Sequence, residues 1–288
     1  MTDQTNTSSQ GLMAGKKGLI MGVANDHSMA WGIAKALADQ GAELAFTYQG
    51  DAFGKRVKPL AESLDSKLIL PCDVDDIESV DAVFAKLKDA WGSMDFLVHA
   101  IAYSNRDELK GRYADTSREN FIQTMVISCF SFTEIANRAA KLMTNGGAMV
   151  TLTYGGATRV MPNYNVMGVA KAALESSVRY LATDFGPDGI RVNAISAGPM
   201  RTLAGAGISD AREMFNYQKS HAPLQRTVKL EEVGGSALYL LSDLSGGVTG
   251  EIHFVDSGYN IISMPKPENL KAETSEENGQ NPLKDAAQ

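Results

Sequence analysis

Short apolar runs alternate with stretches of helical periodicity from Lys17 to Val255. Gly18–Val23, Ala42–Tyr48, Leu68–Leu70, Phe96–Val98, Ala148–Thr153, Ile190–Ile195 and Glu251–Val255 read as seven strands. Trp31–Gln40 (closed by Gly41), Ile77–Ala90 and Glu119–Met143 read as helices. The segment from Tyr154 reads as the start of a further helix that runs to about Phe185. Most of these strands are apolar along their length rather than alternating, as expected of parallel strands covered on both faces. Repeated βα units with right-handed crossovers predict one doubly wound α/β domain with a seven-stranded parallel sheet. Its expected limits are residues 15–264, with polar, flexible tails at 1–14 and 265–288.

Composition narrows the function classes. The chain has 288 residues, of which 44% are hydrophobic, enough for one sizeable core. A net charge of −7 argues against nonspecific nucleic-acid binding. No apolar run approaches the roughly 18 residues that a membrane span requires, and the first residues lack the apolar core of a secretion signal. A cytoplasmic location is therefore expected. Cys72 and Cys129 lie far apart with no His or Cys at ligand spacing, so reduced thiols and no metal site are expected.

Candidate nucleotide-binding residues cluster at predicted strand ends, where a doubly wound sheet places its ligand. The turn Gly22-Val-Ala-Asn-Asp-His-Ser28-Met-Ala-Trp-Gly32 joins the first strand to a helix whose amides could receive a pyrophosphate. Gly22 would permit the tight turn and Gly32 close helix–sheet packing. Ser28 would serve either a phosphate or the helix cap. After the second strand Gln49 is neutral, and the first basic residues, Lys55 and Arg56, fall in the next helix, which favours NADH over NADPH. Asp73 after the third strand could accept from an adenine amino group, with Val74 against the ring, or could cap a helix. His99 has the surroundings of a structural rather than a catalytic histidine.

Tyr154, Tyr164 and Lys171 carry the candidate chemistry. A tyrosine can donate to a developing oxyanion, and a lysine can hold a ribose and polarise that tyrosine. Tyr164 and Lys171 are seven residues apart, with Gly168 at the intervening fourth position. On one helix this spacing would put them on a shared face about 10 Å apart along the axis. Aromatic packing at a strand–helix junction is the alternative role for each tyrosine.

Gly22…Ser28…Gly32, Thr47-Tyr-Gln49, Asp73-Val74, His99-Ala-Ile101, Tyr154…Tyr164…Lys171 and Ala197-Gly-Pro-Met-Arg-Thr202 together closely resemble bacterial enoyl-(acyl-carrier-protein) reductases of the FabI type. That family is a divergent branch of the short-chain dehydrogenase/reductases, with a Rossmann-like fold. The resemblance covers roughly residues 12–260. Its most specific part is Pro162–Lys171, because ordinary short-chain dehydrogenases space Tyr and Lys four apart and this family seven. The resemblance implies NADH-dependent reduction of a trans-2-enoyl thioester on acyl carrier protein, the last step of the fatty-acid elongation cycle, by a homotetramer.

Residue roles follow from the resemblance. Tyr164 would hydrogen-bond the thioester enolate, Lys171 would bind the nicotinamide ribose, and Tyr154 would sit beside the acyl chain. Met29, Ile101, Met200 and Thr202 would join the cofactor site; Ala102, Tyr103, Met167 and Phe215 would line the substrate site. Residues 199–222 would form a mobile lid. Ala102 stands where the family commonly has Gly, which implies weaker binding of diaryl-ether inhibitors such as triclosan. An acidic carrier protein implies a basic portal, yet Arg212 and Lys219 are offset by Asp210 and Glu213, leaving Arg159, Arg201 or Arg226. Still open are an enoyl-CoA or carbonyl reductase of the same superfamily, and a nucleotide-sensing protein without catalysis.

Overall fold

The computed structural model describes residues 11–200 and 211–264. Seven parallel strands form one sheet: β1 Lys17–Met21, β2 Glu43–Tyr48, β3 Leu68–Pro71, β4 Phe96–His99, β5 Gly147–Thr153, β6 Ile190–Ala197 and β7 Ile252–Val255. Their order is β3-β2-β1-β4-β5-β6-β7, so the direction of winding reverses between β1 and β4. Register along that seam pairs Met21 with His99, and His99 with Thr151. All seven carboxyl ends therefore open on the same edge of the sheet, and a crevice is expected at the reversal.

Helices cover both faces. They are α1 Met29–Ala38, α2 Gly50–Glu62, α3 Ile77–Trp91, α4 Arg118–Met125, α5 Ser131–Ala140, α6 Asn165–Phe185, α7 Ala211–His221 and α8 Leu230–Leu241. One core lies under α3, α5 and α6 around Leu97, Phe132, Met149 and Leu174; the other lies under α1, α2 and α8 around Ile20, Phe46, Phe96 and Val150. Two cores on opposite faces of one sheet explain why the strands are apolar without alternation.

Local physics corrects several expected boundaries. The long helix predicted over Glu119–Met143 is α4 and α5 joined by a π-turn, Val126–Phe130, and it stops at Ala140. Apolar periodicity does not register one inserted residue. Gly32 serves helix–helix rather than helix–sheet packing: a Cβ there would meet Leu230, and one on Gly234 would lie 2.7 Å from the Gly32 carbonyl oxygen. The expected N-terminal tail is also shorter than its composition suggests. Met13 is fully buried and its amide bonds the Gln40 carbonyl, so one apolar residue anchors an otherwise polar flank. Residues 1–10 and 265–288, the remainder of the expected tails, lie outside the described residues.

Candidate active site

The turn after β1 is built for close approach. Gly22 has φ +97°, and a Cβ there would stand 2.1 Å from the Ala100 carbonyl oxygen. Only glycine lets β1 and the exit of β4 come this near. Ser28 is the N-cap residue of α1 but does not cap with its side chain. Its Oγ instead accepts from the Ala24 and Asn25 amides at 3.0 and 3.1 Å, holding the turn. The first turn of α1 has no acidic residue. The helix start therefore presents amides and positive dipole without a competing side-chain cap, which suits a pyrophosphate. Met29 opens that helix and is half-buried.

Gln49 and Asp73 meet across the ends of β2 and β3: Gln49 Nε2 donates to Asp73 Oδ2 at 2.9 Å. The alternative of Asp73 as a helix cap is ruled out, since Asp76 caps α3 by accepting from the Glu78 amide. Val74 is buried beside them. His99 is wholly buried, with Nε2 3.0 Å from Ser131 Oγ and its ring tilted on Phe132. Burial, with Lys171 adding to it, pushes its pKa down to about 3. A neutral imidazole fastened on both sides fits the structural role expected of it.

Beyond β4, Ile101 is half-buried, whereas Ala102 and Tyr103 are exposed. The Tyr103 backbone is clamped to the π-turn: Ser128 Oγ accepts from its amide and donates to its carbonyl, each at 2.9 Å. After β6 the chain passes Gly198 to Met200, which is half-buried. Thr202 and Arg201 lie outside the described residues, as do residues 203–210 of the expected lid. The rest of that segment contains α7, where Phe215 is half-buried.

The tyrosines and the lysine come together at the end of β5, by a different local route from the one expected. The chain does not enter a helix at Tyr154. It makes a short 3-10 turn, Gly155–Ala157, and only at Asn165 does α6 begin. Tyr164 is the N-cap residue, so it is not on the helix face it was expected to share with Lys171. Left-handed backbone at Asn163 (φ +56°) and Asn165 (φ +33°) brackets it, and asparagine tolerates that region better than most residues. The rings of Tyr154 and Tyr164 pack edge to face, 5.2 Å between centroids and 76° between planes. Met167, expected beside the substrate, joins Tyr164, Leu109 and Val166 in a small apolar cluster.

Electrostatics distinguish the three groups. Burial raises the Tyr164 phenol well above its ordinary range, with Tyr154 adding to the effect. Burial, then Tyr259, pushes Tyr154 up to about 12. Lys171 is buried and donates to the Leu152 carbonyl at 2.8 Å. Its pKa is pulled down to about 8 by desolvation, opposed by Cys129 and Glu175. At neutral pH the trio is two hydroxyl donors and one ammonium.

A cavity of about 120 Å³ opens beside Tyr154, walled by Arg159, Met161, Gln218, Asp256 and Tyr259 among others. Of the residues expected to contact substrate, only Tyr154 lines it. Sequence reasoning missed Glu175, Thr153 and Ser128, which hold the site residues rather than project from strand ends. Glu175 carried one readable signal, its place four residues after Lys171 on a helix.

Residues 22–260 match the family model described as enoyl-(acyl carrier protein) reductase. This chain belongs to the enoyl-(acyl-carrier-protein) reductase family. A Rhizobium meliloti protein named enoyl-(acyl-carrier-protein) reductase (NADH) 2 is 73% identical over 261 residues, spanning 91% of this chain and 97% of the relative. The crystal structure of FabI from Candidatus Liberibacter asiaticus superposes with a TM-score of 0.87 at 62% identity, covering 89% of this chain and 99% of that one. The Anaplasma phagocytophilum reductase, solved in complex with NAD, gives 0.87 at 60% identity, covering 90% and 98%. In this reductase no helix among the described residues is long and apolar enough to cross a membrane.

Proposed function

We propose that this reductase uses NADH to reduce the trans-2 double bond of enoyl thioesters on acyl carrier protein, with Tyr164, Lys171 and Tyr154 as its working side chains. The observation that carries the reading is the edge-to-face pairing of half-buried Tyr154 with buried Tyr164 at the end of β5, the strand whose Leu152 carbonyl accepts from buried Lys171. Bound NADH supplies a hydride to the β-carbon of the substrate.

Negative charge then collects on the thioester oxygen. Tyr164, kept protonated by burial, donates a hydrogen bond that strengthens as that charge grows, so it favours the transition state over the ground state. Of the three donors on Lys171, one goes to Leu152, which leaves two for ribose hydroxyls. Tyr154 stands beside the acyl chain as a second protonated phenol. Gly22, Ser28 and Met29 would hold the pyrophosphate at the start of α1. Gln49, Asp73 and Val74 receive the adenosine end, where Asp73 still has acceptor capacity beside Gln49. Ile101 and Met200 would hold the nicotinamide side, and Ala102, Tyr103, Met167 and Phe215 the acyl side; Thr202, expected with the first group, lies outside the described residues.

Homotetramer assembly is part of the same proposal. Phe121, Ile122, Phe130 and Tyr180 are large apolar side chains exposed on α4, the π-turn and α6, and a self-complementary interface would cover them. Light scattering after gel filtration reads the assembly directly.

Activity is tested by following NADH and NADPH consumption with crotonyl thioesters of acyl carrier protein and of coenzyme A, and with simple ketones. Carrier-bound substrate with NADH should turn over fastest. Tyr164→Phe and Lys171→Ala should each lose about a hundredfold or more in rate, the lower range for removal of a transition-state donor. Turnover of ketones alone, or of nothing, would overturn the reading.

A further inference from the structure

One buried carboxylate beside this machinery has no role so far. Glu175 lies four residues after Lys171 on α6, and the two are 7% and 6% exposed. That spacing puts both on the helix face turned to β5. There, Lys171 Nζ donates to the Leu152 carbonyl and Thr153 Oγ1 donates to Glu175 Oε1, each at 2.8 Å. Two consecutive β5 residues, immediately before Tyr154, are thus each held by a charged side chain. Burying such a carboxylate is costly unless it is paired and hydrogen-bonded, so its environment identifies its partners.

Three other titratable groups act on the pair, and Tyr154 follows Thr153 in the chain. Cys129 comes from the π-turn, and burial raises its thiol, so it carries no charge at neutral pH. His99 comes from β4 and is held neutral by burial. Arg179 acts on Glu175 from the next turn of α6. Tyr154 is pushed far above neutrality. Burial raises the Glu175 carboxyl, while the hydrogen bond from Thr153 and the charges of Arg179 and Lys171 favour its ionised form, so Glu175 is the carboxylate set against Lys171.

We propose that Glu175 is a positioning residue for the reductase reaction: its carboxylate keeps Lys171 protonated and, through Thr153, fixes the end of β5 that carries Tyr154. The inference rests on the role given to Lys171 above. Desolvation already brings Lys171 down to about 8, with Glu175 among the groups opposing it. Without the carboxylate, Lys171 would lose its proton at a still lower pH.

The experiment compares full-length wild type, Glu175→Gln, Glu175→Asp and Lys171→Ala, with folding checked by thermal unfolding. It measures kcat/KM for a crotonyl thioester with saturating NADH from about pH 6 to 10. The alkaline limb of the wild type should fall by about one pH unit or more in Glu175→Gln, the usual effect of losing a near opposite charge. On that limb the variant should be about tenfold slower. Glu175→Asp keeps the charge and should lie between the two. If the Gln variant does not fold, the equally uncharged Glu175→Met takes its place, and a limb coincident with wild type overturns the proposal. A folded Gln variant with the wild-type limb, or with a uniform loss at every pH, also overturns it. Full activity in Lys171→Ala would instead overturn the role of Lys171 itself.

Discussion

A Cβ on residue 168 would lie 2.8 Å from the carbonyl oxygen of Gly156. Gly156 in turn faces Tyr164, whose ring would be 2.5 Å from a Cβ there. These two glycines let the 3-10 turn after β5 lie directly on the first turns of α6, with Tyr164 packed between. A lysine four residues after Tyr164 is thus sterically excluded, and Lys171 is the first lysine of α6. Gly168→Ala should force the turn to shift. Overpacking costs about 1–3 kcal/mol, offset by roughly 1 kcal/mol of helix propensity. Thermal unfolding should change little while kcat drops on the order of tenfold, because a small misplacement of Tyr164 is expensive in rate. Unchanged kcat would show that the turn absorbs the methyl group.

Gly22→Ala should be among the most damaging substitutions outside the proposed trio of Tyr154, Tyr164 and Lys171. It combines a φ of +97° with a Cβ 2.1 Å from the Ala100 carbonyl oxygen. Backbone strain alone is worth about 1–3 kcal/mol, and the clash adds to it. A lower melting temperature and weaker NADH binding by fluorescence are expected. Wild-type values of both would refute the close-approach argument.

Acid should destabilise the protein through His99. Its folded pKa is about 3 against an ordinary 6.5, so below pH 6.5 the unfolded chain binds a proton that the folded one refuses. Stability is level above that pH, falls as pH drops from 6.5 toward 3, and levels again below. Between pH 6.5 and 5 the loss should be about 2 kcal/mol. Urea unfolding at the two pH values measures it, and His99→Gln should flatten the difference. A His99 ring seen by NMR to titrate near 6.5 would contradict the account.

Ala102 is exposed beyond β4, at the position where the sequence resemblance implies glycine. Ala102→Gly should strengthen inhibition by triclosan-type diaryl ethers if the methyl group narrows the space beside the nicotinamide. Equal inhibition constants for the two forms would dismiss it.

Electrostatic docking of an acidic carrier protein should make KM rise with salt. Arg226 is a weak candidate for that surface, since its guanidinium makes a two-pronged pair with Glu232 at 2.8 and 2.6 Å. Arg159 is a better one: it is exposed, and its partners are the neutral carbonyls of Asn260 and Ile262. Arg159→Ala should raise KM at low salt more than Arg226→Ala does. A KM flat in salt for wild type removes the electrostatic portal.

The sequence by itself determined the doubly wound parallel sheet, because strand burial on two faces leaves uninterrupted apolar runs at βα spacing. It also made candidates at the strand ends, such as Gly22, Gln49, Asp73 and Tyr154, nameable one by one, because ligands of such a sheet meet strand ends. It could not decide how Tyr164 enters the site. Spacing implied a shared helix face, but the chain stays irregular until Asn165, because the Gly156–Gly168 contact draws the preceding turn onto the helix. The joining of Gln49 to Asp73, the clamp of Ser128 on Tyr103 and the pairing of Glu175 with Thr153 link residues 24, 25 and 22 positions apart. No local pattern encodes such contacts. They exist only once the sheet has brought its strand ends to one edge and packed α6 and the π-turn against them.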